Sequence, residues 1–73
     1  MNEGQEKFFN FILDNTREEC KLQAHGLLVD SFSRQADGTF DSKYLEEFIP
    51  KMLELIKPQS IEQVKNILMN YKA

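Results

Sequence analysis

Cysteine and histidine are scarce in this sequence, which contains one of each, Cys20 and His25, and no tryptophan. A single cysteine cannot form an internal disulfide, and one cysteine with one histidine cannot supply the ligands of a structural zinc site. The two residues are five positions apart, which is not a same-face spacing in a helix, so they are not expected to act together as nucleophile and base. We therefore expect no disulfide, no metal site and no cofactor.

Proline and glycine are also few, with two prolines and three glycines in 73 residues. No linker, low-complexity tract or internal repeat is evident, and the chain is punctuated only at residues 36–39 and 57–60. A chain of this length forms one domain, here 1–73, with a thin hydrophobic core. Without disulfides or metals, such a domain usually depends on oligomerisation or near-ideal helix packing.

Basic residues are outnumbered, since nine Lys and Arg face twelve Asp and Glu for a net charge of −3. The basic residues are scattered singly among acids, so no stripe for binding nucleic acid is expected.

Long hydrophobic runs are absent as well: the stretch from Phe8 to Leu13 is interrupted by Asn10 and falls far short of the roughly 20 residues that span a bilayer. The N-terminal residues do not have the pattern of a secretory signal, and together with the lone thiol this predicts a cytoplasmic protein with no membrane partner.

The first segment contains apolar or small residues three and four positions apart. They are Phe9, Leu13, Thr16, Cys20, Ala24, Leu27 and Leu28. This spacing predicts one long helix over about 5–35, continuing through Gly26 because the period keeps its phase there. Such a helix would be about 45 Å long. A compact monomer of this size is only about 22 to 25 Å across, so the expected overhang argues for a partner.

A second helix is predicted over about 42–57, after a left-handed cap at Gly38 and with Asp41 or Ser42 as its N-cap. Pro50 lies inside its apolar pattern, which predicts a kink or a restarted helix near residues 48–50. Pro58 ends this segment, and Ser60 with Gln63 has the spacing of a capping box that opens a third helix over about 61–72. The sequence therefore predicts an all-α bundle of three helices.

The segment 37–41, with sequence DGTFD, resembles the middle of an EF-hand calcium loop. With Gly38 at the invariant glycine, the first and twelfth loop positions would be Ser33 and Tyr44, so the initial carboxylate and the bidentate glutamate are both missing. We expect no calcium binding here, and a glycine-capped turn whose Phe40 packs on the core.

Two pairs of adjacent glutamates, Glu18 with Glu19 and Glu46 with Glu47, are the remaining candidates for catalysis. Adjacent residues on a helix point about 100 degrees apart and do not converge on one atom. No Glu-x-x-His spacing accompanies them, and no nucleophile elbow or phosphate loop occurs. The sequence predicts neither an enzyme nor a small-molecule substrate.

A second apolar stripe follows the first helix, roughly opposite the first stripe. Its members are Phe11, Leu22, His25, Val29 and Phe32. A helix that is apolar nearly all round must be covered on both sides. Either both shorter helices straddle it and bury everything within a monomer, or one stripe builds the core and the other contacts a second copy or another protein. We favour the second explanation and predict a protein interface at this stripe.

The sequence thus predicts a non-catalytic cytoplasmic helical module for protein–protein interaction or regulation, most simply a homodimer in which the long helices pair. An alternative is a helical accessory subunit of a larger complex that is monomeric when isolated. A DNA-binding helix-turn-helix is disfavoured by the charge, and a small enzyme by the residue content. The solution mass of the purified chain distinguishes the first two.

Overall fold

The first helix begins at a reciprocal cap between Asn2 and Gln5. The Asn2 side chain accepts a hydrogen bond from the Gln5 amide at 2.8 Å, and the Gln5 side chain accepts one from the Asn2 amide at 3.1 Å. This capping box satisfies two amides that a helix start leaves unpaired, and it was not among the predictions. In the computed structural model, which describes residues 1–70, the helix α1 spans Glu3–Asp14.

The predicted long helix over 5–35 is wrong, because the chain breaks after α1. A short 3₁₀ helix follows at Glu18–Cys20, and the helix α2 spans Lys21–Asp37. At the break, the Asn15 side chain donates to the Phe11 carbonyl at 2.8 Å and the Thr16 hydroxyl donates to the Ile12 carbonyl. Such side-chain bonds to the backbone compete with helix continuation. Gly26 lies within α2 and does not interrupt it.

The turn after α2 follows the prediction. Gly38 has a φ of 76° and caps α2 in the left-handed conformation that glycine adopts without strain. Asp41 then caps the helix α3, Ser42–Leu53, by accepting a hydrogen bond from the Tyr44 amide at 2.9 Å. The predicted restart at Pro50 does not occur, since α3 continues through it, but α3 ends four residues before the predicted position 57.

The last helix, α4, spans Ile61–Met69 and follows a second 3₁₀ helix at Pro58–Ser60. Ser60 makes no side-chain cap hydrogen bond, so the predicted capping box with Gln63 is wrong. The predicted end of this helix at 72 lies outside the described residues. Over residues 1–70 the all-α class is confirmed, with four α-helices in place of three.

The two halves of the chain repeat one another with an offset of 40 residues, although no repeat was expected from the sequence. Each half is a helix, an extended residue, a 3₁₀ helix and a second helix. The halves join at an antiparallel bridge between Thr16 and Ile56. The Arg17 amide donates to the Leu55 carbonyl at 2.9 Å, and the Lys57 amide donates to the Asn15 carbonyl at 2.8 Å. The two bonds are equivalent under the 40-residue offset.

Side chains reinforce this bridge in the same reciprocal way. The Arg17 guanidinium donates to the Glu54 carbonyl at 2.6 Å, and the Lys57 ammonium donates to the Asp14 carbonyl at 3.2 Å. Each cation thus satisfies a carbonyl at the end of the other half's first helix, where the last turn leaves acceptors unpaired. The bridge therefore also caps α1 and α3.

The core lies between the halves and uses equivalent positions from each. The buried pairs are Ile12 with Met52, Thr16 with Ile56, Cys20 with Ser60, Ala24 with Val64, and Leu28 with Leu68. Leu28 and Leu68 are identical, whereas the other four pairs differ in chemistry or size, so the repeat is only weakly visible in the sequence. Equivalent burial requires only that each side chain fit its part of the core.

Helix packing follows the chain, with α1 against α2, α3 against α4, and α2 against α3. The radius of gyration is 11.4 Å, matching the value of about 11 Å for a compact chain of this length. The overhang expected from a long first helix is therefore absent, and with it that argument for a partner. Among the helices formed by residues 1–70, none combines the length and apolar character needed to cross a bilayer.

The bridge can be tested by comparing two isoleucines. Ile56 is 2% exposed at the bridge, whereas Ile67 is 39% exposed on α4. We expect Ile56→Ala to lower the free energy of unfolding by about 2 to 4 kcal/mol, because a buried isoleucine leaves a cavity, and Ile67→Ala by less than about 1 kcal/mol. Chemical denaturation of both variants measures this. Equal losses would show that the bridge region does not belong to the core.

Candidate interaction surface

One side of α2 is exposed along its whole length and carries no ionised residue. The residues on this side follow one another at spacings of four and three positions. They are here called the α2 outer face: Leu22, Gly26, Val29, Ser33 and Ala36. Leu22 is 87% exposed and Val29 is 49% exposed. Surface helices ordinarily present charged side chains on this side, so the α2 outer face is unusual for a helix in water.

The opposite side of α2 fixes this orientation. Ala24, Leu28 and Ser31 are buried there, and the Ser31 hydroxyl satisfies itself by donating to the Leu28 carbonyl at 2.7 Å. Gly26 faces outward, and a Cβ added to it would meet no atom within 4 Å. The backbone of α2 is therefore directly accessible at this point, because no side chain covers it.

The predicted stripe of five residues is divided by the fold. Leu22, His25 and Val29 are exposed, whereas Phe11 and Phe32 are half-buried and pack against the core. Phe11 leaves the stripe because the break after α1 places it on a different helix. His25 sits at the edge of the α2 outer face and makes an edge-to-face contact with Phe9, with ring centroids 5.4 Å apart.

A groove runs beside the α2 outer face, between α2 and α3. It consists of two adjoining depressions of about 290 and 400 Å³ that share Leu27 and Lys51. Leu27, Phe48 and Leu55 supply apolar surface within it. Leu22 and Gly26 line one end, so this groove, here called the α2/α3 groove, is continuous with the α2 outer face.

A polar cluster closes the other end of the α2/α3 groove. Asp30 accepts a hydrogen bond from the Tyr44 hydroxyl at 2.8 Å and pairs with Arg34 at 3.4 Å. The Arg34 guanidinium lies 4.5 Å from the centroid of the Tyr44 ring, a cation–π distance. Burial and the adjacent Asp30 carboxylate raise the pKa of the Tyr44 hydroxyl well above its ordinary value, so this group stays a hydrogen-bond donor.

Charged residues of α3 and its C-terminal cap form the far rim of the groove and alternate in sign. They are here called the α3 charge row: Lys43, Glu47, Lys51 and Glu54. All four are exposed, and none of their side chains forms an ion pair within the part of the chain that the structure describes. Their spacing of four, four and three residues places them on one side of a helix. This row was not predicted, although its alternating charges can be read in the sequence.

The residues that the sequence offers as candidates for catalysis or metal binding lie apart from one another in the fold. Cys20 is a buried free thiol in the core, and Glu18 is exposed and pairs with Lys21 at 2.9 Å, which holds the pKa of that carboxyl below its usual range. The segment that resembles a calcium loop is a glycine-capped turn, as predicted, and the Phe40 ring contacts Tyr44. Within residues 1–70, no three His, Cys, Asp or Glu side chains are grouped to hold a metal ion.

Comparison of the chain with protein-family models, with curated proteins and with solved structures finds no match. A function for this chain must therefore be argued from its own surface. The features available are the α2 outer face, the α2/α3 groove and the α3 charge row.

The raised pKa of Tyr44 makes the free energy of unfolding depend on pH in the alkaline range. Below about pH 10 the hydroxyl keeps its proton in both folded and unfolded chains, so its stabilising contribution is present. Above that pH the unfolded chain loses the proton while the folded chain retains it, because the folded pKa is raised, and stability falls. We expect the stability advantage of the wild type over Tyr44→Phe to shrink between about pH 8 and about pH 11.5.

Denaturant titrations of both chains at the two pH values measure this difference. Tyr71 is common to both and cancels in the comparison. An advantage that stays constant across the range would show that folding does not raise the pKa of Tyr44.

Proposed function

We propose that this chain is a non-catalytic helical protein–protein interaction module that self-associates through the α2 outer face. The main observation in support is that the α2 outer face, about 21 Å long, contains no ionised residue and leaves Leu22 87% exposed. Continuous apolar or uncharged surface of this kind is typical of interfaces.

The spacing on the α2 outer face suits contact with another helix. Intervals of four and three residues are those of the seam positions where two helices pack side by side. Fully burying an exposed leucine such as Leu22 contributes about 1.5 to 3 kcal/mol, and Val29, which is only 49% exposed, contributes about half as much. Gly26 lies between these two residues and Ser33 follows Val29. Because both are small, they allow the backbone of α2 to come close to that of a partner helix.

A second copy of the chain is the simplest partner, because it brings the same face. α2 is the longest described helix at 17 residues, and the core of a 73-residue chain is small, so association adds stability that the monomer lacks. Cys20 is compatible with a cytoplasmic location, since a lone buried thiol persists in a reducing compartment. Self-association there requires no metal or cofactor.

A second candidate function is that of an accessory subunit that is monomeric when isolated and uses the α2 outer face against a different protein. The observation that supports it is that a single copy of the chain is already compact, with a radius of gyration of 11.4 Å. Solution mass separates the two, since the accessory subunit stays monomeric at every concentration.

Self-association predicts that stability depends on protein concentration. Each tenfold dilution changes the unfolding free energy of a dimer by roughly 1.4 kcal/mol, so a hundredfold dilution is expected to lower the melting temperature by several degrees. Thermal melts at two concentrations, with light scattering for mass, measure it. A constant melting temperature with monomer mass throughout would reject self-association.

Substitutions locate the contact on α2. Leu22→Asp and Val29→Asp are each expected to weaken association by about a hundredfold or more, because an unpaired charge would be buried. Glu46→Lys is the control, since Glu46 is exposed on α3 and outside the groove, and a surface change there costs within about 0.5 kcal/mol. Sedimentation equilibrium compares the three variants, and equal dissociation constants would remove α2 from the interface.

A further inference from the structure

We infer that the two copies associate about a twofold axis with α2 antiparallel to α2 and α3 antiparallel to α3, so that the interface extends from the α2 outer face across the α2/α3 groove to the α3 charge row. This inference rests on the proposed self-association and assigns its surface and direction. The partner is a second copy of this chain, whose charge order, side-chain sizes and available area all fit this pairing.

The α3 charge row is complementary to itself when reversed. An antiparallel copy places Lys43 opposite the partner's Glu54, and Glu47 opposite the partner's Lys51. Twofold symmetry repeats both pairs, giving four contacts of opposite charge. A parallel arrangement with each row facing its own copy in register would oppose like charges at every position. The charge order therefore selects the antiparallel direction.

The side chains of the α2 outer face also fit an antiparallel copy, because large and small residues then face each other. Reversed about Val29, it places Leu22 opposite the partner's Ala36 and Gly26 opposite the partner's Ser33. A large side chain thus meets a small one, and two small residues meet where the backbone is open, since nothing lies within 4 Å of a Cβ at Gly26. Facing positions of large and small residues are how packed helices interdigitate.

Area requires both surfaces together. A helix side about 21 Å long and about 10 Å wide offers roughly 200 Å², whereas a stable interface covers about 800 Å² on each partner. A dimer held through α2 alone therefore falls short, and the α2/α3 groove with the α3 charge row is the adjoining surface that can add to it.

Charge reversal tests the direction of pairing. Glu47→Lys alone and Lys51→Glu alone each turn two attractive contacts of the dimer into repulsive ones, and each is expected to weaken self-association about tenfold or more. The double variant E47K/K51E restores opposite charges across the axis and is expected to return near the wild-type dissociation constant. Glu46→Lys, one position away on α3, is the matched control and leaves it unchanged.

Mixing provides the sharper measurement. Chains carrying only E47K and chains carrying only K51E are complementary to each other, so an equimolar mixture is expected to form heterodimers while each chain alone remains mostly monomeric. Native mass spectrometry distinguishes the species, and circular dichroism of the diluted single variants confirms that each is folded.

The outcomes separate this inference from the proposed function. If the wild type dimerises but reversals have no effect, or the mixture forms no heterodimer, the antiparallel pairing is overturned while self-association stands. If the wild type is monomeric at all concentrations, self-association itself fails and the pairing fails with it. Weakening by both single reversals with rescue by mixing supports the antiparallel dimer.

Discussion

Two backbone hydrogen bonds between residues 15–17 and 55–57 set the positions of the helices in this chain. Arg17 and Lys57 each donate an amide across the bridge and each use a side chain to satisfy a carbonyl of the other half. Because an extended residue is needed in each half to make these bonds, neither half can be one continuous helix. The break redirects α1 away from the axis of α2 and lets it pack against α2, whose side opposite the core is exposed.

The features that could be predicted from the sequence are those that local chemistry determines. The all-α class follows from the apolar spacing, and the cap at Gly38 and the N-cap at Asp41 follow from conformational freedom and a short acceptor side chain. The break near Thr16 was missed because Thr16 and Cys20 keep the helical spacing and are in fact buried. The residue that stabilises the break, Leu55, lies almost forty positions away, so apolar period alone could not reveal it.

Local signals for the break were nevertheless present. Asp14, Asn15 and Thr16 are poor helix formers in succession, and Glu18 and Glu19 are acidic residues suited to a first helical turn. The prediction of one long helix followed the regular apolar spacing and not these local signals. The general physical reason is that helix propensity contributes only tenths of a kcal/mol per residue, and the larger contribution from long-range contacts decides between continuing and breaking.

The surface was predictable only in part for a related reason. Leu22, His25 and Val29 were identified from their spacing on one helix, but whether a side chain on that spacing is covered depends on where neighbouring helices lie. Phe11 and Phe32 share the period and pack against the core instead. The alternating charges of α3 are visible in the sequence, whereas their position on the rim of a groove follows from how α3 packs against α2.

The repeat with a 40-residue offset also bears on how the chain folds. Within each half the two helices are neighbours in sequence, so each helical hairpin can form quickly from nearby contacts. The bridge, by contrast, joins residues 40 positions apart and requires a long loop to close. Contacts within each helical hairpin are therefore local in sequence, whereas docking one hairpin on the other at residues 16 and 56 carries the larger entropic cost of loop closure.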